Sequence, residues 1–568
     1  MNSLSKCEKT HHKCSRRPTK LPKRVICVGT DDDSTQPLRL LETTGEIDRY
    51  ITLSHCWGNP AKGYSTTSKN LTQHRNGISW AQLPTTFQDA ILLTRKLGVQ
   101  YLWIDSLCII QDDKRDWEIE SEKMATIYAS SYLNIANTYA ADSQQGCFPS
   151  RWTTAQAGLR FEKFTSQGVH LELPKDLKGA QNPPVFVRHG VELAHRNVYS
   201  MSSDADFTSP LSTRAWVLQE VMLSPRILHI MSDEMVWECK SMLACECTHL
   251  DPPSSSEMPE TSESKENSSS SFTFNIDRLY HASLRSKLST MFSQLCVDDG
   301  DREIQGFAWY TVISEYIHVK LTKETDRLPA LSGLASLVAK HAKKGNMYFA
   351  GLWEKDLYQG LFWQVCWSHR RIVQRPPEPC PPSWSWASLY FRGPRAGPRL
   401  ADLTWKQPTA DSPLPQIDVK FKILEVICVP VGSNRFGQVL GGSLKVKGQY
   451  VMAKVNLKQY EHESATNIRI VLEFEGDREL VVSDLSPNIA ISLAELNTEV
   501  VCFLMGSYSE VQGHYSWKKG LRDTKWNICM ILKMSLKKPG AHERLGLLYN
   551  DPDSSWFVRS QEGSFIII

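Results

Sequence analysis

The sequence contains no apolar run that approaches the length of a membrane-spanning helix and no apolar leader near its first residue, so a cytoplasmic protein is expected. Its fifteen cysteines are scattered without framework spacing, which argues against a disulfide scaffold and for a reducing compartment. Neither a GxGxxG nor a GxxxxGK[ST] phosphate loop occurs, which disfavours a Rossmann dehydrogenase or a P-loop enzyme. Internal repeats are absent too. Charge of one sign is nearly lacking: 65 Lys and Arg face 62 Asp and Glu, a balance of +3 that gives no strong field for nucleic acid or membrane. The first 24 residues are the exception, with eight Lys/Arg against Glu8, and they read as a solvated basic tail.

What the sequence has is concentrated in two stretches, YITLSHCWG at 50–58 and LPTTFQDAILLTRKLGVQYLWIDSLCIIQDDKRDWEIESEKMATIY at 83–128. Arg49 to Leu53 and Tyr101 to Ile104 are short apolar runs of buried-strand type. Ser54, His55 and Cys56 follow the first, and Asp105 follows the second. Between them, Phe87, Ala90, Ile91, Thr94 and Leu97 recur at helical spacing, with Thr85 or Thr86 as a cap and Gly98 as a stop. Tyr132 to Ala136 makes a third strand. Connections of this length favour a parallel sheet with right-handed crossovers, and ligands of such sheets bind beyond the carboxyl ends of the strands.

The helix after the second strand carries an acid in an apolar position. With Trp117 as origin, Met124 and Tyr128 fall within about 20° of it at 100° per residue. Glu120 lies between Ile127 and Met124 on that inward face, whereas Glu118 and Glu122 point outward near Lys114. An inward carboxylate without a partner costs several kcal/mol, roughly, unless its pKa rises. Glu120 is therefore either a functional acid or half of a structural ion pair.

A third block, TRAWVLQEVMLSPRILHI at 213–230, reads as a short helix that carries Trp216, Leu218, Gln219 and Glu220. Thr213 is its candidate cap and Pro225 its stop, and RILHI and MVWEC then form a hairpin. Arg214 or Arg226 can neutralise Glu120, bind a phosphate bidentately, or close the domain as a structural clamp. Cys7, His11, His12 and Cys14, with Cys245 and Cys247, lack ribbon or finger spacing. Zinc bound by the first group, with Cys245 and Cys247 as added ligands, is the alternative, and the expectation is free thiols and no metal. Cys56 and Cys108, near His55, allow a thiol nucleophile, against the commoner buried structural cysteine.

These three blocks, with the sequel NIANTYAADSQQGCF, resemble the fungal HET (heterokaryon incompatibility) domain family, and they occur in that family's order. LTKETDRLPALSGLA at 321–335, YFAGLWEKDL at 348–357 and PSWSWAS at 382–388 resemble later segments of long HET-domain proteins. The resemblance implies a role in non-self recognition between fungal strains and in the regulated cell death that follows hyphal fusion. It also implies a small parallel-sheet domain like Toll/interleukin-receptor (TIR) domains, some of which cleave NAD with a glutamate on a helix. Glu120 matches that glutamate as the catalytic candidate. Ser54, His55, Trp57, Asp105, Arg214 and Arg226 are the candidate substrate-binding residues. Asp105 would hold a ribose hydroxyl, Ser54 would meet a phosphate, and Trp57 or Trp103 would stack on a ring or belong to the core. NAD enters as a substrate, and no resident cofactor is implied. Self-association and an incompatibility partner protein follow from the same resemblance. The alternative is a non-catalytic assembly module in which Glu120 is a structural acid.

The expected organisation is α/β: a basic lead-in at 1–45, a HET domain at 46–250, and a Ser/Glu/Pro-rich linker at 251–272. A mainly helical region at 273–375 and a β-rich C-terminal domain at 376–568 follow. The last is read from IDVKFKILEVICV, SLKVKGQYVMAKV, NIRIVLEF and EVVCFLMG, and it carries no catalytic motif.

Overall fold

In the computed structural model, the described residues run over 2–29, 37–59, 63–148, 169–171, 185–187 and 209–246. They continue over 309–341, 346–365, 372–374, 380–393, 396–400, 403–404, 418–462, 465–474, 478–482, 499–510, 524–550 and 557–568, with a few single positions omitted. The proposed linker at 251–272 lies outside them. The chain divides into two compact units, residues 1–291 and 292–568.

The first unit is organised by an eight-stranded mixed sheet. Its strands are β1 (Arg24–Cys27), β2 (Arg39–Glu42), β3 (Tyr50–Ser54), β4 (Tyr101–Ile104) and β5 (Leu133–Asn137), then β6 (Arg226–Ile230), β7 (Met235–Cys239) and β8 (Leu243–Cys245). The order across the sheet is β8-β7-β6-β5-β3-β4-β1-β2. The four central strands are parallel, with Thr52 opposite Asn134 and Trp103 opposite Thr52. Antiparallel pairs flank them on both sides. The expected purely parallel sheet is thus corrected to a mixed one. The segment LPKRVIC supplies β1, an antiparallel strand between β4 and the edge strand β2, and the predicted hairpin supplies both a central parallel strand and its antiparallel neighbour.

Four helices matter here: α1 (Asn2–Thr10), α2 (Thr85–Lys96), α3 (Lys114–Ser130) and α4 (Ala215–Leu223). The Asp113 carboxylate caps α3 by accepting from the amides of Arg115 and Asp116. Gly98 takes a positive φ just past α2, where no Cβ is tolerated without strain. Thr85 and Thr213 do not act as side-chain caps: α2 starts after Pro84, and α4 after Arg214. The N-terminal segment is not a loose tail. Leu4, Cys7 and Cys14 are buried, Glu8 meets Arg49, and the charged residues around them stay largely in water.

A buried ion pair joins β1 to α3. Arg24 and Asp116 are bonded directly, Lys23 adds a bond of 2.9 Å, and the Ile110 amide donates to the same carboxylate at 3.0 Å. Arg24 also donates to the Cys108 carbonyl at 2.7 Å, which anchors the end of the WIDSLC segment.

In the second unit, Ser332–His341 is helical, with Leu331, Leu334, Ala335 and Val338 buried as the apolar spacing predicts. Val312 and Ile313 are also buried, and Phe307 lies outside the described residues. This region is partly rather than mainly helical, since short strands at 348–349, 352–353 and 364–365 interrupt it. Trp309, Trp353, Trp384 and Trp386 are fully buried here, Trp309 is edge-on to Trp353, and Trp309 and Trp386 both donate to the Gly351 carbonyl. The four β runs read from sequence fall in a nine-stranded sheet that closes on itself: the long strand Val439–His462 pairs with both Gln561–Ile567 and Glu499–Glu510. Ala453, Val455, Leu472, Val500, Cys502, Cys529 and Ile531 pack together as its core. Among the described residues, no helix is long and apolar enough to cross a membrane.

Asp116→Ala leaves the Arg24 charge buried with one fewer carboxylate and is expected to destabilise the chain by about 3–5 kcal/mol in urea unfolding. A loss below about 1 kcal/mol would show that the Arg24–Asp116 pair does not hold β1 to α3.

Candidate functional site

The carboxyl ends of β3, β4 and β5 face the start of α4. Thr52, Ser54 and Asn134 share one face of the parallel pair and are fully buried. Their side chains are hydrogen-bonded to one another, and Ser54 Oγ also lies 3.2 Å from Asn134 Oδ1. Thr52 Oγ1 donates to Asn134 Oδ1 (3.1 Å), Asn134 Nδ2 donates to Ser54 Oγ (3.0 Å), and Ser54 Oγ donates to Glu220 Oε2 (2.5 Å). Glu220 is 4% exposed on α4. The Tyr128 hydroxyl, from α3, bonds the same carboxyl.

Burial drives the electrostatics. Desolvation pushes the Glu220 carboxyl up to about 7, the nearby Asp105 charge adds to the rise, and Ser54, Arg214 and Tyr128 pull it back. Desolvation likewise raises Asp105, against the opposing pull of Arg214, the Trp57 indole N–H and the Ser106 amide. His55 is lowered to about 3 by burial and by the Arg214 charge, so its ring is neutral. A buried acid held near neutrality beside a second acid and a cation is the arrangement that concentrates at functional sites.

The turn after β3 positions the mouth. Gly58 has φ +75°, and a Cβ there would collide with Asp142. That turn lets the Trp57 indole donate to Asp105 Oδ2 at 2.9 Å. Arg214, at the start of α4, donates to the His55 carbonyl. His55 Nδ1 lies 4.0 Å from Asp105 Oδ1, too far for a hydrogen bond, and its ring meets Phe87 edge-on. His55 Nδ1 and both amide atoms of Gln219 are buried without a hydrogen-bond partner.

Ser54, His55, Trp57, Asp105 and Arg214 are therefore brought together. Arg226 is not among them. It opens β6 at the opposite, amino end of the parallel strands, where Nη1 donates to the Tyr132 carbonyl and Nε to Cys7 Sγ. Glu120 faces inward as its spacing predicts and is 2% exposed, but its hydrogen bond goes to Lys123 Nζ at 2.9 Å, one turn along α3, and to neither arginine. Trp103 is core, edge-on to Tyr128. Burial pushes the Cys108 thiol up to about 12, which keeps it protonated and disfavours the thiol-nucleophile reading.

The acid that sequence reasoning passed over is Glu220. Its signal was available: AWVLQEVML is apolar on every side except for Gln219 and Glu220, so α4 has no solvated face on which to place them. Asn134 and Tyr128 carried no comparable signal, because their roles depend on strand register and helix packing.

An α/β domain whose parallel strand ends converge on a buried polar cluster is the class this geometry defines. Residues 50–220 match the family described as heterokaryon incompatibility protein (HET), and this stretch of the chain is a HET domain. The matched stretch supplies the cluster: β3 with its turn, β4 with α3, β5 and α4. No curated protein and no solved structure matches the chain. The HET domain implies a role in heterokaryon incompatibility.

Folded Glu220 holds its proton to about pH 7, against an ordinary value of 4.5. The folded state therefore binds the extra proton in that window, and stability falls as pH rises through it. Glu220→Gln removes the titration. Relative to this variant, the native chain is expected to lose on the order of 3 kcal/mol between about pH 4 and pH 8, at about 1.4 kcal/mol per unit. Urea unfolding at both pH values reads the difference. Parallel pH profiles for the two proteins would contradict the burial of an ionisable Glu220.

Proposed function

We propose that the HET domain acts in heterokaryon incompatibility by hydrolysing the bond between nicotinamide and ribose in NAD, with Glu220 as the acid at the reacting carbon. The observation that carries this reading is the Glu220 carboxyl, shielded from water, bonded to Ser54, and held near pH 7 beside Asp105 and Arg214. Breaking such a bond passes through an oxocarbenium-like state that a neighbouring carboxylate stabilises. Water adds to the ribose C1 as the C1–N bond breaks, nicotinamide leaves neutral with the bonding pair, and the proton from water passes to Glu220. A group that titrates near neutrality suits that transfer. Asp105 would hold a ribose hydroxyl, Arg214 a phosphate, and Trp57 would fix Asp105 and cover the ring. Glu120, the TIR-like match on the neighbouring helix, is the second acid to test.

Because Glu220 is closed off from solvent, the resting chain is silent on this reading. Self-association of chains, triggered by an incompatibility partner, is the event that opens the crevice. The burial also favours a second reading, in which the domain is a non-catalytic assembly module. On that reading the bonds from Thr52 through Asn134 and Ser54 to Glu220 fix α4 on the sheet and perform no chemistry.

Nicotinamide release from NAD by the full chain, artificially oligomerised, separates the two. Glu220→Gln is expected to lower the rate by about 10²-fold or more. Loss in Glu120→Gln with survival in Glu220→Gln would move the acid to α3. No release from a native chain that still kills hyphae on overexpression would favour assembly.

A further inference from the structure

The second cluster of reactive side chains in the first unit lies at the opposite end of the sheet from Glu220. Sγ of Cys7, Cys14 and Cys239 and a ring nitrogen of His11 all lie within 4.8 Å of one another. We propose that these four residues form a structural zinc site of the Cys3His type, which ties the N-terminal helix to the β6–β7 hairpin.

The local fold gathers the ligands. Cys7 sits in the last turn of α1, and His11 follows four residues later, its amide donating to the Cys7 carbonyl at 3.1 Å. The Cys14 amide then donates to the His11 carbonyl at 3.2 Å, so one winding of chain presents all three side chains to the same point. Cys239 comes from far along the sequence, at the end of β7, where it pairs directly with Arg226 of β6. His11 Nδ1 and Cys239 Sγ are 3.3 Å apart. Cys7, Cys14 and Cys239 are free thiols, and all three are buried.

Geometry and chemistry both suit zinc. Tetrahedral bonds of about 2.3 Å to sulfur and about 2.0 Å to nitrogen set ligand atoms roughly 3.3–3.8 Å apart. Closing the widest pair onto a cation thus requires about 1 Å of contraction, within the reach of side-chain adjustment. Three thiolates and one imidazole are the soft, closed donor set of a structural zinc site, with no position left for substrate.

The surroundings supply the outer hydrogen bonds such a site needs. Arg226 Nε donates to Cys7 Sγ at 3.3 Å, the Lys240 amide to the Cys14 sulfur, and the Ser241 amide to the Cys239 sulfur. Zn²⁺ with three thiolates carries a net charge of −1, and the buried Arg226 guanidinium offsets it. This accounts for a fully buried arginine at the amino end of β6. His12 is exposed and is not among the four clustered residues, and Cys247 lies outside the described residues. The fourth ligand is Cys239, a residue that no local spacing in the sequence connects to Cys7 and Cys14.

The test uses the full chain purified under reducing conditions. Elemental analysis should find about one zinc per chain, and exchange with Co²⁺ should give thiolate-to-cobalt charge-transfer absorption with tetrahedral d–d bands. Cys14→Ser and Cys239→Ser should each lose the metal, while His11→Cys keeps it and Cys147→Ser, outside the cluster, leaves it unchanged. Chelation of the native chain should lower its unfolding temperature. A folded native chain that holds no zinc and gives no Co²⁺ bands in titration overturns the proposal, whether or not the variants fold. Full zinc in both Cys14→Ser and Cys239→Ser overturns it too. So does alkylation that finds two of the three thiols protected until a disulfide is reduced.

Discussion

The hydrogen bond from Ser54 to Glu220 is the contact on which the arrangement of the HET domain rests. Ser54 is the last residue of a central parallel strand, and its hydroxyl has a single proton to give. Asn134 donates to Ser54 from the next strand, and of the two acceptors the Ser54 hydroxyl faces, Glu220 at 2.5 Å is closer than Asn134 Oδ1 at 3.2 Å. The strand register thus brings the members of the network together, and the network ties α4 to the sheet. The same register holds Asp105 at the end of β4, where Trp57 reaches it. Three segments remote in sequence are fixed by groups that have given up water, and each unpaired polar atom among them would carry a desolvation cost. That cost is why Glu220 and Asp105 both hold their protons more tightly than free carboxyls do.

Much of this architecture is legible in the sequence. Short apolar runs ending in polar residues gave β3, β4 and β5, and the helical spacing of Phe87 to Leu97 gave α2. The inward position of Glu120 also followed from periodicity alone. Its partner did not. Helix geometry says which way a side chain points but not what waits there, and Lys123, three residues on, reaches back with a stem that lies along the helix while its amine stays half exposed. Strand β1 was hidden for a different reason. A run of four residues that opens on Arg24 and directly follows a basic segment is not marked as a strand until its partners are known, and β1 finds one in β2 and the other in β4, some seventy residues later. Glu220 was legible in a different way, not by spacing but by the absence of any solvated face on a short apolar helix.

Arginines 214 and 226 have the same charge, occur in the same sequence block, and serve opposite ends of the sheet. The segment between them is α4, nine residues that rise about 13 Å at 1.5 Å per residue. That length carries the chain from the carboxyl ends of the strands back to their amino ends, as a crossover between parallel neighbours requires. Arg214 therefore meets the His55 carbonyl at the crevice, and Arg226 meets the Tyr132 carbonyl and the Cys7 sulfur at the other pole. No sequence argument that treats the two as interchangeable candidates can separate them. The polarity of the strand that follows α4 does.

This placement explains how a short helix can hold an acid so firmly. α4 packs against α3, with Trp216 edge-on to Trp117, and a guanidinium anchors the chain at each side of it. Glu220 lies between those anchors, so it cannot slide along the sheet to find solvent. A carboxyl on a freely fraying helix would turn outward and titrate as an ordinary glutamate. One that is held at both flanks, with Ser54 and Tyr128 already bonded to it, must stay in the dry interior and titrate there. The raised proton affinity of Glu220 is in that sense a property of α4 as a strut. Any change that releases either end of the strut should be felt first at this carboxyl.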